Sequence, residues 1–169
     1  MCPLSCGSFL IVEVTDHRLP HPPGQKTPQS VSARTGKTIV AIRIILADDH
    51  QAYRQHLRAM LEQEPDMIVI AEAEDGQTVV RLVREMSPSA PPGLVIMDVT
   101  MPRLNGIDAT RQIISTHPWV KVLALSMHTD PSIVQAMTQS GAAGYVCKND
   151  PFSALTHAIR AVVAEKANN

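Results

Sequence analysis

The residues of this chain that could do chemistry stand at the ends of short apolar runs. Leu94-Val95-Ile96-Met97 stops at one carboxylate, Asp98, and Ile44-Ile45-Leu46-Ala47 stops at two, Asp48 and Asp49. Val122-Leu123-Ala124-Leu125 stops at the hydroxyl of Ser126, and Gly144-Tyr145-Val146-Cys147 at the ammonium of Lys148. Runs of this length and composition read as strands buried on both faces, the kind that parallel sheets use. Open α/β sheets build their sites in the crevice beyond the carboxyl ends of such strands. If these four runs are neighbours, one edge of the sheet collects three carboxylates, a hydroxyl and an ammonium.

Crowded carboxylates need an explanation. Two of them about 4 Å apart repel by roughly 4 kcal/mol at an effective dielectric near 20. Protonation or a divalent cation must offset that. Oxygen ligands alone favour Mg²⁺, which keeps several waters and takes few protein carboxylates. A metal so held neutralises an incoming phosphoryl group. Asp98 is then placed to act as a nucleophile and form an aspartyl phosphate. Lys148 supplies a second cation for the phosphoryl oxygens and Ser126 a hydroxyl donor. The chain carries no Gly-x-x-x-x-Gly-Lys phosphate loop, which argues against nucleotide binding. The plainer alternative is a buried ion pair, Lys148 with one Asp, that merely holds strand ends together. It leaves two carboxylates unexplained.

The elements that must position these groups follow in regular order from Ile42. A helix over about Gln51–Gln63 carries Tyr53, Leu57, Met60 and Leu61 on one stripe and stops at Pro65. A strand over Met67–Ala71 leads through the turn Glu74-Asp75-Gly76 into a helix over Gln77–Met86. The proline-rich stretch Ser87–Gly93 connects to the strand that ends in Asp98. A helix with Ile107, Ile113 and Ile114 stops before Pro118, a strand covers Lys121–Leu125, and a short helix covers Pro131–Ser140. A strand over Gly144–Cys147 and a helix over Phe152–Glu165 close the series. Strands alternating with helices predict βαβ units, right-handed crossovers and a three-layer, doubly wound α/β fold.

Composition narrows the function classes. Length is 169 residues, enough for one domain and an appendage, and only 3% are aromatic, so the core is aliphatic. A net charge of −1 gives no polybasic footprint and argues against nucleic-acid binding by this chain alone. No apolar run reaches the roughly 18–20 residues of a membrane span, and no basic leader precedes Phe9-Leu10-Ile11-Val12. Three cysteines, one of them in a predicted buried strand, fit a reducing cytoplasm. Residues 1–38, with Pro3, Pro20, Pro22, Pro23 and Pro28 and no sustained period, read as a disordered extension before a domain over 39–166 and a tail over 167–169. Cys2-x3-Cys6 and His17-x3-His21 have zinc-site spacings, but the prolines around His21 forbid the helix that would carry the histidines.

These residues also carry a family resemblance. Ala47-Asp48-Asp49-His50, Met97-Asp98-Val99-Thr100-Met101-Pro102-x3-Gly106, Leu125-Ser126 and Gly144-Tyr145-Val146-Cys147-Lys148 resemble the receiver domain of two-component response regulators. The similarity runs from about Ile42 to Ala164, and includes separations of 28 residues from Asp98 to Ser126 and 22 from there to Lys148. The resemblance implies a flavodoxin-like (βα)5 fold with strand order 2-1-3-4-5. It implies Asp98 as phosphoacceptor, with Mg²⁺ held by Asp49, Asp98 and the Thr100 carbonyl and assisted by Asp48 through water. Ser126 and Lys148 would bind the phosphoryl group, and Ser126 and Tyr145 would form the switch pair. Phosphorylation is expected to draw the loop after Ser126 towards Asp98 and open space for the Tyr145 ring to turn inward.

Glu72-Ala73-Glu74-Asp75-Gly76 and the Gly-Tyr-Val-x-Lys ending are most similar to the branch whose receivers control a LuxR-type helix-turn-helix domain, the LuxR/NarL/FixJ group. Sequence to Asn169 is too short to include such a domain, so the expectation is a stand-alone receiver or a fragment of a longer regulator. The implied activity is phosphorylation-dependent switching rather than enzyme turnover, beyond Mg²⁺-dependent phosphorylation and dephosphorylation of the chain itself. Its partners would be a histidine kinase and a second copy or a downstream effector. Two rivals remain: a small phosphatase using Asp98 with His50 or His128 as acid/base, and a degenerate receiver acting as an interaction module without phosphorylation.

Overall fold

Alternate residues of a strand point to opposite faces, so a strand apolar at every position needs cover on both sides. The computed structural model describes residues 10–11, 41–86 and 91–164 and supplies that cover. Its strands are β1 (Leu10–Ile11), β2 (Ile42–Ala47), β3 (Met67–Ala73), β4 (Leu94–Asp98), β5 (Lys121–Ser126) and β6 (Gly144–Cys147). Its helices are α1 (Gln51–Leu61), α2 (Gly76–Glu85), α3 (Gly106–Thr116), α4 (Pro131–Gln139) and α5 (Phe152–Ala164). Strands β2 to β6 run parallel in the order β3-β2-β4-β5-β6, which is 2-1-3-4-5 when the five are counted from β2. This is the flavodoxin-like arrangement that the resemblance implies.

Ile44, Leu46 and Leu123 turn to one face and pack with Leu57 of α1 and Ile159 of α5. Ile45, Met97 and Val122 turn to the other and pack with Val79 of α2 and Ile113 of α3. A smaller cluster joins Ala124 and Tyr145 to Met137 of α4. Full burial of an Ile or Leu is worth about 1.5–3 kcal/mol, so the two large layers carry most of the cohesion. In α2, Val80 is buried together with Val79 and Val83. Helix α2 packs against both β3 and α3, and that contact widens its apolar face.

Two departures from expectation concern strand ends. Strand β3 runs on to Ala73, past a register shift opposite Ile44 and Ile45. The sequence assigns no element before Ile42, yet Leu10–Ile11 pairs antiparallel with β6, Leu10 opposite Tyr145 and Ile11 opposite Gly144. The outer edge of β6 offers unpaired backbone groups, and a short extended segment satisfies some of them. The expected Cys2, Cys6, His17 and His21 spacing, the domain boundaries near 38 and 166, and residues 87–90 of the proline-rich connection lie outside the described residues. Among the described residues no helix is long and apolar enough to cross a membrane.

Register decides what meets at the carboxyl edge. Ala47 pairs with Met97, so the next residue of each strand path, Asp48 and Asp98, stands at the same level of the carboxyl edge. Ser126 pairs with Cys147, and the Lys148 amide donates to the Ser126 carbonyl at 2.8 Å. The loop after β4 must then fold back tightly. Gly106 donates its amide to the Val99 carbonyl at 2.9 Å, and a Cβ on it would lie 2.1 Å from the Asp98 carbonyl oxygen. Only glycine fits that approach. Gly106→Ala is therefore expected to lower stability by about 1–3 kcal/mol, read as a fall in thermal midpoint. An unchanged midpoint would show that the loop yields.

Candidate functional site

Asp48 and Asp98 are both buried, 3% and 5% exposed. The ammonium of Lys148 lies between them, donating to Asp48 Oδ2 at 2.6 Å and lying 3.2 Å from Asp98 Oδ1. The second Asp48 oxygen accepts the His50 amide at 2.9 Å. Asp49 stands nearer the mouth, its Oδ1 2.9 Å from His50 Nδ1. Ligand atoms of Asp48, Asp49, His50 and Asp98 all lie within 4.8 Å of one another. The plain alternative of Lys148 paired with one Asp is therefore not what the chain builds: one ammonium serves two carboxylates, and Asp49 is left with His50.

The electrostatics follow from burial. Withdrawal from water pushes the Asp98 carboxyl above its ordinary value, the Lys148 ammonium opposes this, and the Asp48 carboxylate adds to the rise. The Thr100 amide also donates to Asp98 and favours the anion. A carboxyl kept basic by its surroundings is a better nucleophile than one in water at the same degree of ionisation. The donor set also fits a hard divalent cation. Three carboxylates gather within reach of one another while the protein supplies them one ammonium at contact distance, and oxygen-rich, partly open sites of this kind suit Mg²⁺.

Ser126 and Tyr145 are joined through a residue that motif reading passes over. The Ser126 hydroxyl accepts the His128 amide at 3.2 Å, and the Tyr145 hydroxyl donates to the His128 carbonyl. The Tyr145 ring is packed inward with Val99, Ala124, Met137 and Ala142. The ring is therefore buried here, with its hydroxyl on the His128 carbonyl. His128 contributes backbone atoms alone, which no residue type announces.

The neighbouring loops clamp the site. Arg103 takes a left-handed backbone (φ 65°), and its guanidinium donates to Asp75 and Glu74. Asp75 is fully buried and caps α2 through the Thr78 amide at 2.8 Å. Burial works to raise the Asp75 carboxyl, but the Arg103 and Thr78 bonds outweigh it and hold it down at about 2. The Gly76 amide donates to the Leu104 carbonyl at 3.1 Å. So the Glu72–Gly76 stretch braces the loop that follows Asp98. On the other side Arg54 donates to the Asp48 carbonyl and to Glu72.

Comparison with known proteins agrees with this geometry. The profile of the response regulator receiver domain matches residues 44–160. The chain belongs to that family. It is 40% identical over 121 residues to the transcriptional regulatory protein DegU of Brevibacillus brevis, covering 72% of this chain and 50% of that protein. It is similar to the crystal structure of a LuxR-family two-component response regulator from Aurantimonas sp. SI85-9A1, with TM-score 0.69, 36% identity, and 74% and 86% of the two chains covered. RcsB from Salmonella enterica serovar Typhimurium, solved bound to a promoter with the phosphomimetic BeF3⁻, matches with TM-score 0.63 and 26% identity, over 70% of this chain and 66% of that one. The chain spans about half the length of the curated relatives it matches.

The raised Asp98 carboxyl has a consequence for stability. Its folded pKa lies above the ordinary 3.8, so the folded protein binds more protons there than the unfolded chain does. Stability from this group is complete below 3.8 and is lost as pH rises through the folded pKa. Asp98→Asn should therefore raise the thermal midpoint at pH 7 in magnesium-free buffer. The gain should fade as the pH approaches the ordinary carboxylate range, about 4. A midpoint lower than that of the parent at pH 7 would mean that the Lys148 bond outweighs burial.

Proposed function

We propose that Asp98 is the phosphoacceptor of a two-component switch, charged by a histidine kinase in the cytoplasm. The observation that carries this reading is the buried Asp98 beside Asp48, with one shared ammonium and Asp49 in reach. An Asp98 oxygen attacks phosphorus as the bond to the donor imidazole breaks, and the electron pair of that bond returns to the imidazole. Asp49, Asp98 and the Thr100 carbonyl would hold Mg²⁺, with Asp48 behind them, and the ion supplies charge neutralisation to the phosphoryl oxygens when bound. Lys148 moves part of its attachment from the carboxylates to a phosphoryl oxygen.

Ser126 donates its hydroxyl proton to another phosphoryl oxygen, and the same oxygen, which accepts the His128 amide, carries that loop with it. A charge-assisted bond of about 1.5–3 kcal/mol is enough to shift a two-state equilibrium roughly ten- to a hundredfold. The change would fall on the buried Tyr145 ring, on its hydroxyl bond and on the loop through His128, at the face of α4, β6 and α5. A second copy or a downstream effector would read that face. DegU is described as a transcriptional regulator and RcsB was solved on a promoter. Those full-length properties support an output in gene control for any longer protein that carries this receiver.

Incubation with Mg²⁺ and acetyl phosphate should add one phosphoryl group, seen by intact mass, and Asp98→Asn should abolish it. Phosphate on the Asp98→Asn protein would overturn the assignment. Ser126→Ala should still accept phosphate, more slowly, yet lose the phosphorylation-dependent change in self-association measured by light scattering. A response like that of the parent would move the coupling to other residues.

A further inference from the structure

Lys148 is a compact charge on a flexible four-carbon stem, a poor way to hold a cation in one place. Its ammonium nevertheless meets two carboxylates at once, and its side chain is 5% exposed. The face of an aromatic ring lies beside it: Lys148 Nζ sits 4.8 Å from the centroid of Tyr53. Tyr53 is in the first turn of α1, four residues past Asp49, and packs on the core face with Leu57 and Leu61. At that spacing it reads as one more apolar residue of the helix stripe. The structure gives its ring a second contact, against the ammonium.

We infer that Tyr53 is a positioning residue for the phosphorylation site, its ring face seating the Lys148 ammonium where it can follow charge from the carboxylates to a phosphoryl group on Asp98. The inference rests on the reading of Asp98 as phosphoacceptor. Two of the three ammonium donors face Asp48 and Asp98, and the π face attracts the cation without accepting a directed bond. The ammonium can therefore pivot from carboxylate to phosphoryl oxygen without leaving the ring. Positional precision of this kind governs phosphoryl transfer, where catalysis is mostly placement and charge. The phenol itself contributes no charge, since burial, with Asp48 and Asp98 nearby, pushes its pKa up to about 12. The ring is the active part, so phenylalanine should substitute for it.

The test uses the full chain with Tyr53→Phe and Tyr53→Leu, and Tyr53→Met should the leucine variant fail to fold. NMR without any phosphodonor should show the Lys148 ε-methylene protons shifted upfield by the ring in the parent and in Tyr53→Phe, and not in Tyr53→Leu. Phosphorylation by acetyl phosphate should slow by about two- to thirtyfold in Tyr53→Leu, with Tyr53→Phe close to the parent and the Mg²⁺ Kd from calorimetry unchanged in both. No upfield shift in the parent overturns the inference, as does a Tyr53→Leu protein that phosphorylates at the parental rate. A Tyr53→Phe protein as slow as Tyr53→Leu also overturns it, by assigning the effect to the hydroxyl. A parent that takes no phosphate on Asp98 overturns the functional reading and this inference together, whereas an indifferent Tyr53 series on a phosphorylated parent sinks this inference alone.

Discussion

Two carboxylates withdrawn from water at the ends of adjacent strands must share a cation, and Lys148 reaches both. Removing the ammonium from such a group leaves uncompensated buried charge, at a cost of about 3–5 kcal/mol. Replacing the whole group by apolar residues of similar volume is often neutral or stabilising. Stability therefore gives no reason to gather Asp48, Asp49 and Asp98 at one sheet edge. The arrangement fits the proposed reading, in which a divalent ion beside Asp49 and a phosphoryl group on Asp98 would meet that charge.

The surrounding structure keeps that charge in place. Level placement of Asp48 and Asp98 comes from the β2–β4 register, and the loop after Asp98 is folded back by the Gly106 contact. Arg103 holds a left-handed backbone that costs of order 1–3 kcal/mol for a residue with a side chain. Its guanidinium bonds to Asp75 and Glu74 help offset that strain, and Asp75 in turn caps α2. The loop after Asp98 is thus tied to α2 by an ion pair with one buried member.

A hydrogen-bonded chain leaves the site on the other side. Ser126, the His128 backbone and the Tyr145 hydroxyl form one hydrogen-bonded chain, and the Tyr145 ring ends it in a cluster with Met137 of α4. Met127, next to Ser126, is 55% exposed. The chain from Ser126 thus runs between the carboxyl edge of the sheet and α4. The path depends on a backbone amide and carbonyl of one residue, so it responds to loop position more than to side-chain identity.

Much of this was legible in the sequence. Four apolar runs ending on Asp48, Asp98, Ser126 and Lys148 announce parallel strands and a polar edge, because strand burial and side-chain period are local properties. Strand alternation with helices announces the crossovers, and the spacing of the motifs announces the family. What pairs with what was decided by the tertiary structure. Strand register set Asp48 level with Asp98, and only then could one Lys148 bridge them, across 100 residues of chain. The Tyr53 ring counted as core by its period and gained its ammonium contact from Lys148, just past β6, which the period cannot see. The same holds for His128, whose backbone does the bonding, and for Leu10–Ile11, whose pairing exists because β6 is an edge. Sequence determines the local preferences and the chemical inventory; distances between groups far apart in the chain arise only when packing and register bring the strands together.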